Sequence, residues 1–206
     1  MKAPVGVVLA GGLSRRMGGG DKGLIELGGQ SLLSHVIQRL APQVADLALN
    51  ANGDPTRFQG FGLPVVADSI PGHLGPLAGV LTGLEWARAR NAGSVVTVAA
   101  DTPFFPGDLV PCLLSAAEDQ AADIAFCTTG QQGSDAVLHP TFGLWSVSLA
   151  DDLRAALNAG VRKVVEFADR YSVAEAWFPA TDFDPFFNVN TPEDLAHIRS
   201  TAGTRK

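Results

Sequence analysis

The sequence predicts an α/β fold built on a mostly parallel sheet flanked by helices. Two observations lead to it. Short β-branched runs alternate with segments whose apolar residues recur at helical spacing, the pattern of strand–helix–strand units. The first run, residues 5–10, is continuously apolar and ends directly at Gly11 and Gly12, as a strand buried on both faces does. No repeat period and no Pro- or Ser-rich linker interrupts the 206 residues, so a single domain spanning 1–206 is expected.

Each element follows in order. After the strand at 5–10, residues 11–22 read as a loop. Ser31 then caps a helix whose Leu32, Leu33, Val36, Ile37 and Leu40 share one face before Pro42 stops it. Strands are expected near 46–50 and 64–67, a helix at 78–89, and a strand at 94–100 leading to Asp101; Asp68 follows the 64–67 strand in the same way. A helix at 109–118, strands at 123–128 and 141–145, and helices at 149–158 and 161–168 continue the alternation. Strands at 173–178 and 186–188 precede a last helix that Thr191 caps, with Pro192 in its first position and Glu193 and Asp194 in its first turn, where acidic groups suit the helix dipole. Residues after Ser200 read as a frayed tail.

Composition excludes several classes of function. Hydrophobic residues are 46% and charged residues 17% of the chain, the balance of a folding domain and not of a disordered chain. The least charged stretch, residues 69–84, is short and broken by Pro and Gly, so no membrane span is expected. The apolar N-terminal run enters a glycine loop without a cleavage site, and a cytoplasmic protein is expected. Cys112 and Cys127 form neither a CxxC nor a zinc pattern and read as free buried thiols. The net charge of −6 argues against nucleic acid. The first thirty residues nevertheless carry +2, a local positive spot suited to a small anionic ligand.

That spot coincides with the strongest motif, Leu9-Ala-Gly-Gly-Leu-Ser-Arg-Arg-Met-Gly-Gly-Gly-Asp-Lys22, directly after the first strand. Glycines let backbone N–H groups approach an anion, and Arg15, Arg16 and Lys22 can neutralise phosphate charge. It is not a Walker loop, because no Gly-Lys is followed by Ser or Thr. A literal GxGxxG at Gly18, Gly20 and Gly23 lies too far past the strand and does not open a helix, so it fails the context a dinucleotide fingerprint requires. The bland alternative for the segment is a glycine loop with solvated charges.

Asp101 is the second candidate. It stands at the carboxyl end of an apolar strand, the edge where open α/β sheets bind ligands. One carboxylate opposite a phosphate loop suffices for Mg²⁺, which completes its shell with water and substrate phosphates; the alternative is a cap on the following turn. Gly75-Pro-Leu-Ala-Gly79 opens a helix and permits close backbone contact, though taken alone it is a turn. Asn188-Val-Asn190-Thr-Pro-Glu-Asp194 puts two amides before the capped helix. His35, His73, His139 and His197 stand apart, without zinc spacing, and no GxSxG elbow is present. The lack of a protein base is compatible with a phosphate acceptor. A monoester whose second pKa is about 6 is already mostly dianionic at neutral pH and needs positioning and charge neutralisation.

Taken in order, the first motif, GPLAG, the Asp-Thr-Pro after a strand and NVNTPED resemble the molybdenum cofactor guanylyltransferase family, from Val5 to about Ile198. The resemblance implies a Rossmann-like nucleotidyltransferase fold with helices on both faces. It implies Mg²⁺-dependent transfer of GMP from GTP to the terminal phosphate of molybdenum-bound molybdopterin, with release of pyrophosphate. By the same resemblance, Leu9, Ala10, Gly11 and Gly12 hold guanine and ribose through the backbone. Arg16 and Lys22 hold phosphates and act catalytically, and Asn50, Asp68 and Gly75 complete the GTP site. Asp101 binds the metal. Residues up to about 105 form the nucleotide side. The C-terminal half, about 106–200, holds the pterin, with Asn188 and Asn190 as principal contacts and His139, Pro140, Arg162 and Lys163 as weaker ones. Molybdoenzyme maturation proteins are conceivable recipients of the product. Besides a more distant sugar-phosphate nucleotidyltransferase, two alternatives remain at this point. One is the sister cytidylyltransferase using CTP, whose loop reads LAAG where this chain has LAGG; the extra glycine leaves room for a purine. The other is a non-catalytic nucleotide-binding module.

Overall fold

Strand β1 (Val5–Leu9) is an inner strand of the central sheet. Its Val8 packs into one hydrophobic cluster and its Val5 and Val7 into another, so the continuous apolar run is what a strand covered on both faces requires. The structure is a computed structural model that describes residues 3–11, 21–72, 74–131, 134–179 and 184–202.

The remaining strands are β2 (Glu26–Leu27), β3 (Gln30–Ser31), β4 (Leu47–Asn50), β5 (Val65–Val66), β6 (Ser94–Ala99), β7 (Ile124–Gln131), β8 (Ser134–Ser146) and β9 (Val173–Phe178). Seven of them form one sheet in the order β5-β4-β1-β6-β8-β7-β9, and β2 and β3 form a separate hairpin. Only β8 runs against its neighbours β6 and β7; the other four pairings of the sheet are parallel. The expected α/β architecture, mostly parallel, is therefore observed.

Helices cover both faces. On one lie α1 (Leu32–Leu40) and α3 (Leu109–Asp119); Leu33, Val36, Leu40, Leu109 and Leu113 join Val8, Val96 and Val98 there. On the other lie α2 (Pro76–Arg88), α4 (Ala150–Asn158) and α5 (Val164–Ala168), packed on Val5, Val7, Val95 and Trp145. Trp145 is fully buried. Its indole N–H donates to Thr97 Oγ1 at 3.0 Å, so the polar atom of this large side chain is not stranded. The last helix, α6 (Pro192–Ala202), packs Ile198 with Val189, Leu27 and Leu32 in a third, smaller cluster.

The caps behave as their sequences require. Ser31 Oγ accepts from the Ser34 N–H at 3.1 Å at the start of α1. At α6, Thr191 Oγ1 accepts from the Asp194 N–H at 3.1 Å while Asp194 Oδ2 accepts from the Thr191 N–H at 2.8 Å, a reciprocal capping box with Asp in the third position. Two expectations need correction. Residues 186–188 form no strand; they lie in a connector whose Val189 N–H donates to the Asp101 carbonyl. The helix expected over 161–168 begins only at Val164, because Gly160 has a positive φ of 97° and Arg162 turns its guanidinium onto the Leu157 and Val161 carbonyls.

Candidate active site

The carboxyl ends of β1, β4, β5 and β6 point to one side of the sheet, where a cleft of about 540 Å³ opens. β1 is flanked by β4 and β6: the chain runs from β1 to β4 and β5 on one side and then crosses back to β6 on the other. A crevice at such a reversal is where doubly wound sheets bind ligands. Among the described residues the cleft is lined by Leu9, Ala10 and Gly11 beyond β1, Asn50 and Asn52 at β4, Asp68 beyond β5, Gly75 and Pro76 at the start of α2, and Asp101 beyond β6. Lys22, Thr141 and Asn188 complete its rim.

One wall carries a polar ring. Asn50, itself buried, donates from Nδ2 to Asp68 Oδ1 at 2.9 Å and to the Val66 carbonyl at 3.2 Å. Asn52 Nδ2 donates to Asp68 Oδ2 at 2.7 Å, and the Asp68 N–H donates back to Asn52 Oδ1 at 2.9 Å. Two amides thus hold one carboxylate by both oxygens, which fixes its orientation before any ligand arrives. Helix α2 closes tightly over this wall. A Cβ on Gly79 would lie 2.4 Å from Asn50 Oδ1 and 2.7 Å from Leu9 Cδ2, so the second glycine of GPLAG is required by approach. Gly75 precedes the helix with φ 79°, a backbone conformation that favours glycine.

Asp101, beyond β6, lies where this wall meets a second one. Lys22 Nζ lies 3.3 Å from Asp101 Oδ2 and also donates to Asn190 Oδ1. Thr102 Oγ1 donates to Asn188 Oδ1. A single ammonium therefore joins the carboxylate beyond β6 to an amide from the C-terminal connector. The donor chemistry suits a hard cation that shares its shell with phosphate oxygens: among the described residues no three His, Cys, Asp or Glu side chains gather as a self-sufficient metal site.

The structure brings Leu9, Ala10, Gly11, Lys22, Asn50, Asp68, Gly75, Asp101 and Asn188 to one cleft, with Asn190 bonded to Lys22. Gly12 and Arg16 lie outside the described residues. His139 stands off from this group: it stacks on Phe186 at 4.5 Å between ring centroids and shares a hydrogen bond with Thr129 Oγ1 at 2.9 Å. Arg162 is engaged with helix-end carbonyls. Sequence reasoning missed Asn52, Thr102 and Thr141. For Asn52 a signal existed, since Asn50-x-Asn52 repeats the same side-chain type at a strand end; Thr141 had none. Both cysteines are free, and burial pushes the Cys127 thiol well above its ordinary value.

The MobA-like NTP transferase domain matches residues 6–173. The chain is 54% identical over 199 residues to a molybdenum cofactor guanylyltransferase of Rhodopseudomonas palustris, covering 95% of this chain and 92% of that one. It is 50% identical over 200 residues to the protein of the same name from Bradyrhizobium, covering 96% and 92%. Among solved structures, molybdopterin-guanine dinucleotide biosynthesis protein A from Archaeoglobus fulgidus superposes with a TM-score of 0.71 over 97% of this chain and 99% of that one, at 24% identity, which speaks for the fold. With a family model over most of its length and near-full-length relatives at half identity, the chain belongs to the MobA-like nucleotidyltransferases, and within them to the molybdenum cofactor guanylyltransferase family.

Proposed function

We propose that this nucleotidyltransferase binds GTP in the cleft and transfers its GMP unit to the terminal phosphate of molybdenum-bound molybdopterin. An oxygen of that phosphate attacks the α-phosphorus of GTP. The bond from the α-phosphorus to the bridging oxygen breaks, and pyrophosphate leaves with the electron pair. One observation carries the reading: Lys22 Nζ reaches both Asp101, beyond β6, and Asn190, on the C-terminal connector. A cation at that point lies where donor and acceptor phosphates must meet.

In this reading Leu9, Ala10, Gly11 and Gly12 hold base and ribose by backbone contacts. Asn50 and the clamped Asp68 hold further polar parts of the nucleotide. Gly75 lets the start of α2 approach the phosphates, where a helix N-terminus favours negative charge. Arg16 and Lys22 bind phosphate oxygens and stabilise the charge that develops on transfer. Asp101 would hold Mg²⁺, which when bound neutralises phosphate charge and polarises the phosphoryl group. The attacking phosphate is already a dianion at neutral pH, so its alignment matters more than a protein base. Asn188 and Asn190 would position the pterin, with residues 1–105 and 106–200 dividing the labour within one domain. Among the described residues no helix is long and apolar enough to cross a membrane. The free thiols fit a reducing cytoplasm, and the acidic net charge speaks against nucleic acid as a partner. Molybdoenzyme maturation proteins would receive the product.

The test is unfolding with Mg²⁺ and GTP, CTP or ATP in turn, followed by pyrophosphate release with a molybdopterin acceptor. Saturation at about 100 times the dissociation constant stabilises by about 2.7 kcal/mol, or roughly 5–10 °C. The expected result is a shift with GTP alone and acceptor-dependent pyrophosphate release. A shift with CTP alone transfers the reading to the cytidylyl reaction, and binding without release reduces the protein to a nucleotide carrier.

A further inference from the structure

Arg57 lies outside the cleft lining, on a 3-10 helix (Pro55–Phe61) that follows the β4 turn, yet each of its three guanidinium nitrogens donates a hydrogen bond. Nε donates to the Asp54 carbonyl at 2.8 Å and Nη2 to the Asn52 carbonyl at 2.5 Å. Nη1 donates to both carboxylate oxygens of Asp21, at 2.8 and 2.7 Å. Its Cζ lies 5.1 Å from the centroid of the buried Phe58 ring. The Asp21 side chain is 7% exposed and that of Arg57 32%. An exposed ion pair between flexible side chains contributes little. This pair is different, because two backbone carbonyls pre-set the fork and the carboxylate is shielded.

What the pair connects gives it meaning. Asp21 directly precedes Lys22, the cation that meets Asp101 and Asn190. At the other end, the Asn52 carbonyl that Arg57 holds belongs to the residue whose side chain clamps Asp68. Asp21 and Arg57 are 36 positions apart in the chain, so the bond fixes the origin of the Lys22 side chain against the Asp68 wall. We propose that Arg57, acting through Asp21, is a positioning residue that sets the reach of Lys22 toward the nucleotide phosphates. Its nitrogens are engaged with Asp21, Asn52 and Asp54 outside the cleft lining, so in this role it acts through Asp21 and not by touching substrate. The proposal rests on the cleft being the GTP site.

The charges of the two partners make a sharp test possible. If they acted on the triphosphate only through their fields, Arg57→Ala would weaken GTP binding and Asp21→Ala would strengthen it. If they position Lys22, both weaken it. Equilibrium binding of GTP with Mg²⁺ and of guanosine is measured for the wild type, Arg57→Ala, Asp21→Ala and Arg57→Lys. The expected result is that both alanine variants raise the GTP dissociation constant by about tenfold, equivalent to about 1.4 kcal/mol, and leave that of guanosine within about twofold. Arg57→Lys, which keeps the charge and loses the fork, should also weaken GTP. Tighter GTP binding by Asp21→Ala overturns the proposal, as does an equal loss for GTP and guanosine, which marks general damage. Wild-type binding of GTP with unchanged variants overturns the clamp alone, whereas a wild type that binds no GTP overturns the GTP reading and the clamp with it.

Discussion

The two walls of the cleft hold their polar groups by different means. On the first, Asn50 ends β4, and Asp68 and Asp101 each stand two residues beyond the ends of β5 and β6. Parallel ladders fix these strands in register with β1, so the sheet itself delivers the side chains. On the second wall, Asn188 and Asn190 lie on a connector between β9 and α6 whose described residues form no strand. They are held by Thr102 and Lys22, and by the Val189 N–H on the Asp101 carbonyl. The second wall is therefore assembled on the first, and disturbance should travel from the first to the second more readily than the reverse.

The largest effect is expected where the walls join. Asp101→Asn keeps the shape of the side chain and removes the charge that would hold the metal. Turnover should fall by at least about 100-fold while the fold, read by circular dichroism and unfolding, is retained. Near-normal turnover would take Asp101 out of the chemistry and leave it a strand-end cap. Lys22→Ala should raise the GTP dissociation constant by about tenfold through the loss of a charge-assisted contact. It should also raise KM for the pterin, because Asn190 loses its partner. A change in GTP alone would show that the second wall does not depend on the first.

The reverse direction is tested by Asn190→Ala. Lys22 retains Asp101 as a partner, so GTP binding should change by less than about threefold while KM for the pterin rises by more. A loss of GTP binding as large as that of Lys22→Ala would erase the distinction between the walls.

The same distinction explains what the sequence made legible. Asp68 and Asp101 were found because a carboxylate after an apolar strand has few positions to occupy, and the strand announces itself by its unbroken β-branched run. The expected glycine loop lies mostly outside the described residues; in the sequence it stands out by its density of Gly, Arg and Lys. Residues 186–188 were misread as a strand because Phe186, Phe187 and their neighbours have strand-like side chains. Their burial comes from ring packing instead: Phe186 meets Phe142 at 5.0 Å and Phe178 at 5.4 Å. Asn52 and Arg57 escaped because their partners, Asp68 and Asp21, are distant in sequence, and no local period records such pairings.

His139 offers the finest probe of the second wall. It sits on β8, stacked on Phe186 at the start of the connector and hydrogen-bonded to Thr129. Burial pushes its pKa below the ordinary 6.5, and the Asp184 carboxylate pulls it part of the way back. The folded protein thus binds this proton less readily than the unfolded chain does. The stability contributed by the neutral ring is fully present above about pH 6.5 and is lost as pH falls through the folded pKa. His139→Phe keeps a ring for the stack and removes the titration, at the cost of leaving Thr129 without this partner at any pH. Between pH 7 and pH 5 the Tm of the wild type should therefore fall more steeply than that of His139→Phe, and the GTP dissociation constant at pH 7 should be unchanged. Parallel Tm curves would show that the proton on His139 does not reach the packing beneath the connector. A change in GTP binding would show that the second wall acts back on the first, contrary to the order in which the contacts are built.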